Sequence, residues 1–121
     1  MPKIQKYKTT TMQRIQNCVS LKYYLYTRGQ CPPEKILNLV DKFDNLYNIN
    51  LTKDQRYYRN KKGQSVCRLF IYQHHKENYF IWWLLVTEGT GIIHDREHLK
   101  DTRRKHERLK WNLYLGRTFL P

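Results

Sequence analysis

Between Tyr79 and Gly89 the chain reads YFIWWLLVTEG, the most apolar run in an otherwise polar sequence. The run is roughly half as long as the ~20 residues that a bilayer-spanning helix needs. Aromatic and branched residues fill it, and no polar position before Thr87 gives it a wet side. A run of this kind predicts a strand covered on both faces, at the centre of a sheet. The rest of the fold must then be arranged to cover it.

Upstream, SVCRLFIYQ sets Cys67, Leu69 and Ile71 on one side and Arg68, Phe70 and Tyr72 on the other. That is the period-two pattern of a strand. The polar stretch HHKEN separates the two, so residues 65–73 and 79–88 are expected to form a β-hairpin. VSLKYYLYTR alternates in the same way: Val19, Leu21, Tyr23 and Leu25 oppose Lys22, Tyr24, Tyr26 and Arg28, until Gly29 and Pro32-Pro33 break the pattern. Near the end, Leu109, Trp111, Leu113 and Leu115 alternate with Arg108, Lys110, Asn112 and Tyr114, which predicts a last strand.

Ile36, Leu39, Val40, Phe43 and Tyr47 share one face at helical spacing, and Pro33-Glu34 suits a first helical turn. A helix over 33–48 follows. Leu51 to Gln64 reads as a basic connector with a short helix capped by Thr52. HDREHLKDTRRK predicts a weakly amphipathic helix, since Leu99 is its single large apolar residue. Residues 1–11, MPKIQKYKTTT, read as a basic flexible tail able to join an edge strand, and residues 12–121 as a single α+β domain. The order β-α-β-β-α-β is ferredoxin-like: an antiparallel sheet with helices on one face, where Leu21, Leu69 and Leu109 would point.

Charge restricts the partner. Lys plus Arg number 23 against 10 for Asp plus Glu, a formal net charge of +13 and a pI of about 9.8. A field of that sign draws polyanions, and nucleic acid is the commonest of them. The opposite sheet face would show Lys22, Tyr24, Tyr26 and Arg28 from one strand and Arg68, Phe70, Tyr72 and His74 from the next. Arg108, Lys110, Asn112 and Tyr114 would complete it. Rings for bases beside cations for phosphates are what single-stranded nucleic acid requires. RYYRNKK adds a basic-aromatic arm through Arg56, Tyr57, Arg59, Lys61 and Lys62, and Arg103 and Arg104 add another. The competing reading makes these aromatics a second core under the tail or under residues 51–64. Alternation also separates the two tryptophans, with Trp83 expected on the helix-packed side and Trp82 on the aromatic side.

Catalytic motifs are weak. His94 to His98 matches H-x-x-E-H, yet the only downstream acids, Asp101 and Glu107, are too close to supply a distant third metal ligand. His74-His75 lacks the spacer of a His-x-His strand motif, and no metal-ligand set accompanies Tyr57-Tyr58 as a nucleophile. There is no phosphate-binding Gly-rich loop, no Ser-His-Asp pattern and no Gly-containing RNA-recognition signature. Cys18, Cys31 and Cys67 are odd in number and lack CxxC spacing, so reduced thiols are expected rather than a disulfide framework or a zinc ribbon. No charged-then-apolar leader precedes the domain, which predicts a soluble cytoplasmic chain that needs no cofactor, metal or membrane. Nothing in the residues sets its oligomeric state.

FIWWLLVTEGTGIIHDREHLKDTRRKHERLKWNLY, Phe80 to Tyr114, resembles short accessory proteins of bacterial integrating conjugative elements and plasmids. In those a WWLL-T-G-G run precedes H-x-RE-x-L-x-D and RL-x-W-x-x-Y. The resemblance implies a mobile-element setting, in which DNA handling and inhibition of host defence are common trades. Where those proteins continue with Glu-Leu after the Tyr, this chain has Leu115 and closes at Pro121. The expectation is a non-enzymatic nucleic-acid-binding protein of a mobile genetic element. The alternative is a protein-binding inhibitor of a host nuclease or CRISPR effector.

Overall fold

The computed structural model describes residues 4–74, 78–104 and 106. Along the chain these form β1 (Ile4–Gln5), α1 (Lys8–Ser20), β2 (Leu25–Cys31), a 3-10 turn (Pro33–Lys35), α2 (Ile36–Tyr47), α3 (Lys53–Lys61), β3 (Cys67–Gln73), β4 (Phe80–Val86), α4 (Ile93–Arg96) and β5 (Lys100–Asp101). They make an α+β fold around a mixed five-stranded sheet of order β1-β3-β4-β2-β5. The apolar run is β4, in the middle, antiparallel to both β3 and β2.

Helices cover the sheet on both sides. Val40, Phe43 and Tyr47 of α2 pack on Leu69, Ile71, Leu84 and Val86. Met12, Ile15, Cys18 and Val19 of α1 pack on Phe70, Tyr72, Trp83 and Leu85. Each large apolar side chain buried in this way contributes about 1.5–3 kcal/mol. The expectation of helices on one face is thereby corrected, and α1 is the reason. Its Met12, Ile15, Cys18 and Val19 recur at helical spacing, but the Tyr-rich alternation that follows imitates a strand. Val19 is still helical, Ser20 is the last residue of α1, Leu21 and Lys22 form an exposed turn, and strand geometry begins only at Leu25. Ile4 and Gln5 join the edge of the sheet, as the sequence allows, pairing in parallel with Ile71 and Tyr72, whereas residues 8–11 belong to α1 and not to a tail.

The second half of the expected order is also shorter. The helix in HDREHLKDTRRK stops at Arg96, and Glu97 is extended. Lys100 and Asp101 instead pair with Tyr26 and Leu25. A stretch with one large apolar residue has little to hold it as a helix, while the free edge of β2 offers backbone partners. Thr102 fastens the join, its N–H and its hydroxyl both donating to the carbonyl of Tyr24 at 2.8 and 2.9 Å. The strand expected at Leu109 to Leu115 lies outside the described residues. No helix among the described residues is long and apolar enough to cross a membrane.

Register decides the tryptophans. Trp82 stands opposite Ile71 and Gly29, and Trp83 opposite Phe70 and Arg28. Trp82 therefore faces α2, edge-on to Phe43 at 5.1 Å. Trp83 faces α1 and is 0% exposed. The sides are reversed from expectation, because the length of the turn between β3 and β4 sets which Trp meets Ile71.

Candidate nucleic-acid interface

The aromatic sheet face is the second core. Tyr26, Phe70 and Tyr72 are buried beneath α1 and have no ring face left for a base. Arg28 is half-buried over Trp83, its guanidinium 5.9 Å from the ring centroid, and burial pulls its pKa down. Arg68 lies over Phe70 at 5.3 Å and donates to Cys18 Sγ at 3.2 Å. His74 is buried, its ring 5.2 Å from that of Tyr79. The cations of this face thus line the edges of a core. Arg108, Lys110, Asn112 and Tyr114 lie outside the described residues.

The other basic-aromatic segment behaves differently. α3 is set by its ends: Thr52 Oγ1 accepts from Gln55 N–H at 3.2 Å while Gln55 Oε1 accepts from Thr52 N–H at 2.9 Å, a capping box. Beyond its C-terminus Gly63 takes a positive φ of 76°, the conformation that closes a helix at lowest cost. Between the caps no residue of α3 is buried. Arg56 and Arg59 are half-buried and turn inward, with Arg56 Nη1 donating to the carbonyl of Leu51 at 2.8 Å. Tyr57 and Tyr58 turn outward, 64% and 63% exposed, beside exposed Lys61 and Lys62. Lys53, Arg56, Arg59, Lys61 and Lys62 face a single acid, Asp54, within this segment. Among the described residues neither tyrosine belongs to a core cluster.

Next to α3 a cleft of about 300 Å³ opens, lined by Leu21, Lys22, Tyr24, Asn60, Thr87 and Glu88. The turn after α1, the end of α3 and the loop after β4 meet here. Lys22 holds φ at 75° as the left-handed residue that closes α1, its N–H donating to the Val19 carbonyl at 3.0 Å and that of Tyr23 to the Cys18 carbonyl at 3.1 Å. Thr87 Oγ1 accepts from Val66 N–H at 2.8 Å, so its one proton goes to Asn60 Oδ1, 3.2 Å away. Gly89 keeps the loop close: a Cβ there would stand 2.6 Å from the carbonyl oxygen of Gly63.

Arg103 buttresses the cleft. Its guanidinium lies 4.4 Å from the centroid of Tyr24, contacts both oxygens of Glu88 at 3.2 Å and reaches Asp101 Oδ2 at 2.8 Å. Its hydrogen bonds hold the Asp101 carboxyl below the usual range. With two carboxylates on it, Arg103 is a strut more than a phosphate contact. Arg104 beside it is exposed.

Of the expected site residues, Lys22 and Tyr24 line the cleft with Asn60 of α3, and Arg103 lies on Tyr24. Arg56 and Arg68 both act on Cys18 and Tyr23 at the α1 core, and Arg59 lines a separate hollow with Leu46, Tyr47 and Cys67. Asn60, Thr87 and Glu88 were not anticipated. Asn60 sits inside RYYRNKK, but only the fold brings the other two to it.

The H-x-x-E-H residues disperse. With α4 ending at Arg96, His94 Nε2 lies 2.6 Å from Ser65 Oγ, and Glu97 accepts from the Tyr47 hydroxyl at 2.7 Å. Burial, then the bond to Glu97, pushes Tyr47 up to about 12. Among the described residues no three His, Cys, Asp or Glu side chains cluster as a metal would require. Burial raises all three thiols, Cys67 to about 12. At neutral pH they are protonated, a poor state for a nucleophile or a ligand.

Comparison of the chain with protein-family models, with curated proteins and with solved structures returns no match.

Proposed function

We propose that the chain is a non-enzymatic nucleic-acid-binding protein of a bacterial mobile genetic element, favouring single strands and docking through α3 and the adjoining cleft. One observation carries this reading: α3 is capped at both ends and has no fully buried residue, and while Arg56 and Arg59 turn inward it presents Tyr57 and Tyr58 beside Lys61 and Lys62 at its surface. Exposed rings beside cations suit unpaired bases and their phosphates. The formal charge of +13 supports a polyanionic partner, and the resemblance of Phe80 to Tyr114 to conjugative-element accessory proteins supplies the setting. We also read β2 to β5 as a ferredoxin-like core. The spatial order β3-β4-β2-β5 with antiparallel neighbours supports it, and β1, α1 and the one-turn α4 depart from it.

Capture of partners from bacterial lysate, with and without nuclease digestion, separates this reading from its rival. Nucleic acid recovered with the untreated protein, and partners lost on digestion, support it. A single protein partner that survives digestion, with no nucleic acid recovered, replaces it with inhibition of a nuclease or CRISPR effector.

A further inference from the structure

The cleft beside α3 has a size and a chemistry of its own. About 300 Å³ is the lower end of the range for ligand sites; it suits one planar heterocycle and excludes a folded peptide. Tyr24 lines one side, held between the α1-side core and the Arg103 guanidinium over its ring, and Arg103 is itself fixed by its grip on Glu88 and Asp101. Because the Thr87 proton is directed to Asn60 Oδ1, the Asn60 amide leaves its Nδ2 as donor. Glu88 adds an acceptor and Lys22 a cation at the same opening. A ligand that satisfies all of them is flat, carries both donors and acceptors on its edge, and is joined to an anion.

We infer that this cleft is a nucleobase pocket: it takes one unpaired base against Tyr24, reads its edge with Asn60 and Glu88, and sets the adjacent phosphate at Lys22. The inference rests on the nucleic-acid reading and narrows it, because a base held in a duplex cannot enter. Leu21, 66% exposed at the rim, then has a role that packing does not give it, as an apolar contact for the same ring or its neighbour.

The test is an amide-resolved titration of the isotope-labelled chain with AMP, CMP, GMP and UMP, and with ribose 5-phosphate as the arm that lacks a base. A single-stranded oligonucleotide is titrated in parallel. Shifts confined to residues 21–24, Asn60 and 87–88 with at least one nucleotide, and absent with ribose 5-phosphate, are expected. Tyr24→Leu and Asn60→Ala should each weaken oligonucleotide binding by about tenfold, the scale of one lost stacked base, and Tyr24→Phe should recover most of what Tyr24→Leu loses. Asn60 is exposed, so its variant reports even if Tyr24→Leu fails to fold. If the oligonucleotide binds while the cleft amides stay still and Asn60→Ala binds like the parent, the pocket is refuted and the broader reading stands. If shifts are equal with ribose 5-phosphate, the cleft is a phosphate site only. If no nucleotide and no oligonucleotide binds, both readings fall together.

Discussion

The indole of Trp82 lies so close across Gly29 that a Cβ at position 29 would stand 2.6 Å from Cζ2. The two residues are register partners between β4 and β2, and the far side of the same indole meets Phe43 of α2. Gly29→Ala must therefore push the ring into α2. Overpacking of this kind costs about 1–3 kcal/mol, more than the ~0.5–1 kcal/mol that Ala recovers in a strand interior. Denaturant unfolding should show a net loss, and Trp82→Phe in the same chain should return most of it. Additive losses in the double variant would contradict the contact.

Trp83→Ala should be the most damaging single change in β4. Trp83 is fully buried between α1 and the sheet, and its removal should cost about 3–5 kcal/mol, much of the stability of a typical domain. Trp82 is half-buried, so Trp82→Ala should cost less and leave a cooperative melt. Thermal melts of the two variants decide the order, and equal losses would mean that β4 is covered alike on both faces.

These two residues also mark how far the sequence could be read. β4, the hairpin, α2 and the Thr52 cap were legible because a local period or a cap agrees with the tertiary outcome. α1 was not: its apolar stripe is narrow, and the alternation from Val19 to Leu25 competes with it until the second sheet face needs cover. β5 was not, because its pairing is decided by the free edge of β2. The exposed tyrosines of α3 could be named in advance. The cleft could not, since Lys22, Asn60 and Glu88 are far apart in the chain and only topology brings them together.

Alkaline conditions should weaken the fold. Burial raises Cys67 from the usual 9.0 to about 12, and burial with the Glu97 bond raises Tyr47 from 10.0 to about 12. Both are held protonated by the native state. Their stabilisation is complete below pH 9, where neither state ionises, and declines as the unfolded chain loses these protons between the usual values and about 12. Denaturant midpoints should fall across that window, and Cys67→Ala should flatten the early part of the decline. Ready alkylation of Cys67 in the folded protein at pH 8 would contradict its burial.

The central claim is tested most directly by titrating a labelled single-stranded oligonucleotide with the native chain and with a Tyr57→Ala/Tyr58→Ala/Lys61→Gln/Lys62→Gln variant over a series of salt concentrations. All four residues are exposed, so the variant should melt like the parent. Native binding should weaken with salt, the logarithmic slope steepening by about 0.7 per phosphate contact on a single strand. The variant should bind at least tenfold more weakly, about the effect of one lost stacked base, with a shallower slope. Equal affinity and equal slope for both chains, or no binding by the native chain even at low salt, would contradict the assignment of α3 as the nucleic-acid interface.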